Sequence, residues 1–158
     1  MTVDDRARAD GTTRIVEVGE KPETAREATA EAWLVTTTET VGALVAGTKK
    51  GSPIETAKVA GMIGVKKTPD LLPHCHPVRV TGADVTVEPN VAEGRIHVVT
   101  TVRAFDRTGV EMEALTSVSI AALSLYDTAK AFDRSARIEG VRLLAKSGGK
   151  SGEYHAAG

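Results

Sequence analysis

The sequence predicts an α+β domain in which helices cover one face of a mainly antiparallel sheet. Three observations carry this: two long helical patterns, two cleanly alternating strand patterns separated by a turn-length segment, and an order in which strands and helices do not simply alternate. A chain of 158 residues has the length of one domain. Its 41% hydrophobic and 26% charged residues are the balance of a folded globular chain, so 1–158 is read as a single unit.

Residues 1–13 are polar, carry Gly11 and have no periodicity, which predicts a mobile arm outside the core. Ile15, Val16 and Val18 form a short apolar stretch before Gly19, and Ala28, Ala30 and Ala32 alternate with Thr29, Glu31 and Trp33; period two suggests strands in both places. The alanine and glutamate content of 23–32 equally suits a helix, so propensity and pattern conflict there. A short helix is expected from Glu39 to Ala46, stopped by Gly47 in the loop Gly47-Thr48-Lys49-Lys50-Gly51.

Ser52-Pro53-Ile54-Glu55 has the form of a helix start, with serine as N-cap, proline at the first position and glutamate placed to complete a capping box. That helix is expected to reach about Lys66, because a proline at 69 disfavours helical residues just before it. Val78 to Val80 and Ala83 to Glu88, then Arg95 to Arg103, read as strands joined by a hairpin through Pro89 to Gly94. From Glu111 or Met112 to Phe132, Leu115, Val118, Ala122, Leu125 and Ala129 recur at three- and four-residue steps, which defines the central core helix. Arg137 to Leu144 reads as a last strand, and the segment from Lys146 to Gly152 is too glycine-rich for regular structure; 146–158 is expected to be a mobile tail that orders on substrate.

Composition limits the function classes. No apolar run approaches the roughly 20 residues of a membrane span, and the N-terminus is acidic and polar, so neither a membrane segment nor a secretory signal is expected. One cysteine, Cys75, cannot form an internal disulfide, which makes the cytoplasm the expected compartment. Twenty basic against twenty-one acidic residues lack the positive field of a non-specific nucleic-acid binder. Basic charge is instead local: Lys130, Arg134, Arg137, Arg142, Lys146 and Lys150 face only Asp133 and Glu139 in that interval.

Asp127 and Lys130, three apart on the long helix, can touch, and a carboxylate beside an amine can orient it for proton transfer. The plain alternative is an exposed ion pair. Glu113 lies fourteen residues earlier, about 21 Å along a continuous helix. One small substrate could not touch both ends within one subunit, so a shared site requires a second subunit or a helix that starts later.

His74-Cys75-His76, between two prolines, could hold a metal in an extended stretch, but only His97, His155 and scattered carboxylates remain to complete a shell; polar substrate contact is the preferred reading and no metal is expected. Lys146-Ser-Gly-Gly-Lys150-Ser-Gly lacks the P-loop glycine at 144, where Leu144 stands, yet glycines flanked by lysines can form an anion nest, just as they can form a solvated tail.

Taken together, ETAREATAEA (23–32), KKG (49–51), AKVAG…KKTPDLLPHCHP (57–77), TGVEMEALTSVSIAAL (108–123), YDTAKAFD (126–133) and VRLLAKSGGKSG (141–152) resemble the cyclic pyranopterin monophosphate synthase family of molybdenum cofactor biosynthesis, often called MoaC. The resemblance implies a ferredoxin-like subunit in a hexamer, a trimer of dimers, with sites at subunit interfaces and no cofactor. It also implies a small-molecule substrate, a GTP-derived cyclic nucleotide triphosphate. By motif position it implies Lys50, Asp127 and Lys130 as catalytic residues, and His76 with Cys75, and Met112 with Glu113, as substrate contacts. Arg26, Lys67, Lys146 and Lys150 fall where it suggests phosphate or neighbouring contacts. The chain departs from the family at Ser52, where an acid often follows the glycine, and at His74, where an apolar residue is common; His74 is counted among the substrate-pocket residues. Two competing readings are a non-catalytic phosphate-ligand module and a zinc hydrolase built on His74 and His76.

Overall fold

The computed structural model describes residues 9–158; the first eight residues of the expected arm lie outside them. The elements run β1 (Thr24–Val35), α1 (Thr38–Ala46), α2 (Pro53–Leu71), β2 (Val80–Asn90), β3 (Arg95–Asp106), α3 (Glu111–Ala129), β4 (Arg137–Ser147) and β5 (Tyr154–His155). The sheet order is β2-β3-β1-β4-β5 and every neighbouring pair is antiparallel. Strands β1 to β4 with α2 and α3 as crossovers make two interleaved βαβ units, the ferredoxin-like topology.

The strand reading of 24–35 prevails over its helical propensity because tertiary burial decides. Ala28, Ala30, Ala32 and Leu34 are fully buried on the face covered by α3, and their side-chain period of two matches Ile96, Val98, Thr100 and Val102 on β3. Small alanines on β1 let α3 lie close, through Ala114, Val118, Ala121, Ala122 and Leu125, all buried. The polar pair Thr100 and Ser117 in this interface is satisfied by a mutual hydroxyl bond of 2.8 Å.

Helix α2 runs five residues past the expected end at Lys66 and carries Pro69 in its last turn. A proline there forfeits only the bond to the Val65 carbonyl, and the turn closes through Leu72 N–H to Thr68 O at 2.9 Å and Thr68 Oγ1 to Gly64 O at 2.9 Å. Ser52 caps α2 through Glu55 N–H at 3.2 Å, as expected. Glu55 does not complete the capping box, however; its carboxylate takes Lys58 at 2.7 Å instead. Gly61 and Gly64 bring α2 against α3: a Cβ on Gly64 would stand 3.2 Å from the Ser117 Cα and the Thr116 carbonyl.

Two other boundaries differ. Ile15, Val16 and Val18 lie outside any strand, because two carbonyls of that stretch are engaged by histidine side chains and not by a neighbouring strand. Strand β4 extends through Lys146 to Ser147, and the glycines at 148, 149 and 152, all at positive φ, turn the chain back into β5.

The sheet face away from the helices carries a polar and aromatic cluster that the sequence did not announce. Trp33 stacks on His97 with ring centroids 3.8 Å apart, and the Arg95 guanidinium lies 4.6 Å from the indole centroid. Glu31, almost fully buried, bonds His97 at 2.6 Å and Arg142 at 2.7 Å. Burial pushes the Glu31 carboxyl up, but the Arg142 and His97 hydrogen bonds outweigh it and the net shift is downward.

Candidate active site

The lysine loop between α1 and α2 is shaped by a tight turn. Thr48 and Gly51 exchange N–H to carbonyl bonds of 2.9 Å each, Gly51 sits at φ 110°, and Lys50 N–H donates to Thr48 Oγ1 at 3.2 Å. Lys50 thereby lines a cleft of 510 Å³ together with Lys49, Pro53 and Thr56 from one wall and Ser124, Asp127 and Thr128 of α3 from the other. Lys130 Nζ donates to Asp127 Oδ1 at 2.7 Å at the rim of this cleft. The Asp127 carboxyl is held below its ordinary pKa by the hydrogen bond and charge of Lys130, with the Lys50 charge adding to the effect. Reciprocally, Asp127 raises the Lys130 ammonium. At neutral pH the pair is an ammonium and a carboxylate, both exposed.

The opposite end of α3 builds a second set. Glu113, in the first turn, is only 3% exposed, and burial pushes its carboxyl up to about 7, with Glu111 reinforcing the shift. It borders a cavity of 510 Å³ whose other walls are Met62, Val65, Lys66 and Pro69 of α2, Pro77 and Val78, and the start of β2 from Val80 to Ala83. Met112 is beside it and exposed. The stretch His74-Cys75-His76, half-buried, leads directly into that cavity's wall at Pro77 and Val78.

Beside this end of α3, Arg26 and Lys150 line a third cleft, of 760 Å³, with Lys21 and Arg107. The Arg26 guanidinium is held by two carbonyls, Arg107 O at 3.1 Å and Asp106 O at 3.4 Å, and no carboxylate pairs with it among the described residues. Gly149 lies flat on that guanidinium, where any Cβ would overlap it. Lys146 reaches Glu111 at 3.5 Å and also Ser151, so it joins the same neighbourhood through the α3 N-terminus.

The structure therefore brings Lys50, Asp127 and Lys130 together; toward the other end of α3 it places Glu113 on one cavity, into whose wall the His74–His76 stretch runs, and Arg26 and Lys150 on a separate cleft that Lys146 approaches through Glu111. The helix between them is unbroken from Glu111 to Ala129, which leaves the two sets about 21 Å apart along its axis. Lys67 joins neither set: it is exposed and paired with Asp70 at 3.1 Å, while its neighbour Lys66 lines the Glu113 cavity. Lys66, Lys21 and Arg107 were not singled out by the sequence. Arg107 becomes visible only once the antiparallel register, which places Thr24 opposite Asp106, is known. Among the described residues no three His, Cys, Asp or Glu side chains converge as a metal site, and no helix is long and apolar enough to cross a membrane.

A ferredoxin-like domain with a lysine-carboxylate cleft at one end of its central helix and an arginine- and lysine-lined cleft at the other defines an α+β protein equipped to handle an anionic ligand. Residues 15–149 match the MoaC family, and the chain belongs to that family. It is 48% identical over 148 residues to the cyclic pyranopterin monophosphate synthase of Deinococcus radiodurans, covering 93% of this chain and 87% of the relative. The Streptomyces griseus protein of the same name is 48% identical over 145 residues (91% and 81%), and that of a Methylobacterium species 48% over 149 residues (94% and 93%). The chain is accordingly an enzyme of this family, a lyase.

Proposed function

We propose that the chain is a cyclic pyranopterin monophosphate synthase of molybdenum cofactor biosynthesis, acting in the cytoplasm. In this reading it converts 3′,8-cyclo-7,8-dihydroguanosine 5′-triphosphate to cyclic pyranopterin monophosphate and diphosphate. The observation that carries the reading is the cleft shared by Lys50 and the Asp127–Lys130 pair. Two amines and a carboxylate around one space are what successive proton transfers on a rearranging ring require.

Lys130, kept protonated by Asp127, serves as the general acid, and Lys50 is the partner that accepts or returns a proton on the opposite side. Asp127 fixes the Lys130 ammonium in place and does not itself exchange protons, since its carboxyl is held ionised. Arg26, Lys150 and Lys146, with Lys21 and Arg107, receive the triphosphate and stabilise charge on the departing diphosphate. Glu113, Met112, Cys75 and His76 contact the ring portion, and His74 borders the pocket beside them. The hairpin tip at 148–152 closes over the phosphates.

A substrate too small to span 21 Å requires that the Lys50 cleft of one protomer complete the Glu113 and Arg26 half of another. A homo-oligomer with sites at its interfaces, a hexamer built as a trimer of dimers, satisfies this. The test is direct incubation with the cyclic triphosphate and assay of diphosphate. Lys50→Ala, Asp127→Ala and Lys130→Ala should each abolish release while the fold survives. Near-normal turnover by Lys130→Ala excludes the acid role, and binding without diphosphate release in the unmodified protein replaces the enzyme by a phosphate-ligand module.

A further inference from the structure

The stretch that leads into β1 is held by two side chains from the loop after α2. His76 Nε2 lies 2.7 Å from the Val16 carbonyl, and His74 Nδ1 lies 3.2 Å from the Arg14 carbonyl. The spacing matches on both sides, residues i and i+2 of one extended segment meeting residues i and i+2 of the other. A carbonyl oxygen can only accept, so each of these ring nitrogens must carry a proton. In their neutral form the two imidazoles are thus fixed in opposite tautomers. His76 has its proton on Nε2 and a lone pair on Nδ1; His74 has its proton on Nδ1 and a lone pair on Nε2.

We propose that residues 14–16 are a positioning element of the active site: the Val16 carbonyl fixes His76 so that Nδ1 is its only nitrogen available to substrate, and His74, anchored on Arg14, holds that element in register. Val16 and His74 act through His76 and touch no reacting atom. The physical logic is that of an imidazole oriented through its far nitrogen, where the partner chooses both tautomer and ring plane. His74 is the distinctive part, because an apolar residue there could not grip a carbonyl. The ring-contact role of His76 rests on the function proposed above; the tautomers do not.

Nitrogen-15 NMR of the full-length protein labelled at histidine tests this without substrate. The expected result is a pyrrole-type Nε2 and pyridine-type Nδ1 at His76, with the reverse at His74. A protonated Nδ1 on neutral His76 overturns the proposal. In His74→Leu the His76 signal should become a mixture of tautomers, and kcat should fall roughly threefold or more, the loss expected for one hydrogen bond, with KM changed less. His74→Asn, whose side-chain amide can donate from nearly the position of Nδ1, should restore both the single tautomer and kcat. A His74→Leu protein with an unchanged His76 spectrum and unchanged kcat sinks the anchoring role, as does a His74→Asn protein no better than His74→Leu. If the tautomers are as stated but no diphosphate is released from the cyclic triphosphate, the function reading fails and the positioning of His76 stands.

Discussion

Glycine 64 sets how closely the two long helices approach, and replacing it with alanine tests that geometry in both stability and turnover. The contacts of Gly64 with Ser117 and Ile120, of Gly61 with Ser117 and Ala121, and the shared cleft of Pro53 and Thr56 with Ser124 and Thr128 describe one antiparallel helix pair. Its spacing fixes the width of the Lys50–Asp127 cleft. A helical Gly→Ala change gains about 1 kcal/mol from backbone entropy. At Gly64 the new methyl meets two backbone atoms at 3.2 Å and the Ile120 Cβ at 3.3 Å, none of which can swing aside, and overpacking of this kind costs about 1–3 kcal/mol. The net expectation is a loss of about 1 kcal/mol. Gly42 in α1 is the internal control, since nothing lies within 4 Å of a Cβ there and the same change should stabilise by somewhat under ~1 kcal/mol. Urea unfolding at one fixed protein concentration, necessary because assembly shifts apparent stability, measures both. The shift of a few tenths of an ångström should also lower kcat for Gly64→Ala, with Gly42→Ala unaffected. Equal stabilisation by the two substitutions would refute the close-packing argument.

Glu113→Gln should separate stability from activity. The Glu113 pKa is raised from 4.5 to about 7, so the contribution of this one group is fully present below pH 4.5 and is lost as pH rises through 7. The glutamine protein should be more stable than wild type at pH 8, by on the order of 2 kcal/mol, and indistinguishable from it near pH 4, while its turnover falls. Thermal denaturation at the two pH values decides, and no gain at pH 8 removes the buried-acid interpretation. Lys150→Ala should weaken binding of the triphosphate substrate at least several-fold at low salt, with the difference shrinking as salt rises and the unfolding midpoint unmoved. Calorimetric titration at two ionic strengths measures it, and an unchanged affinity removes Lys150 from the phosphate cleft.

The sheet and the core helix were legible because their signals are local. Alternation in Arg95–Arg103 and the three- and four-residue steps in α3 are each written within one element, whereas the alternation of Ala28, Ala30 and Ala32 competed with helical propensity until burial under α3 decided for a strand. Pro69 misled because the rule for residues before proline is a bias that the last turn of a helix can absorb. Glu55 could not be assigned to a capping box by spacing alone, since Lys58 stood within reach on the same helix. The cluster of Trp33, His97, Arg95, Glu31 and Arg142 was invisible for a different reason: it is assembled across three strands, and no spacing encodes it until register is known. The same holds for Lys21 and Arg107 around Arg26, and for the imidazole grip on residues 14–16. Lys67 was placed by motif position alone, whereas it is Lys66 that lines the Glu113 cavity.

The rigid span of α3 has a genetic consequence. In the interface site proposed above, Glu113→Gln and Lys130→Ala fall on halves contributed by different protomers, and each impaired chain retains what the other has lost. When both are dissociated, mixed and reassembled, mixed pairs acquire one site with two defects and one with none. Random pairing would then restore roughly one quarter of wild-type sites, whereas chains that each built a complete site alone would remain silent in any mixture.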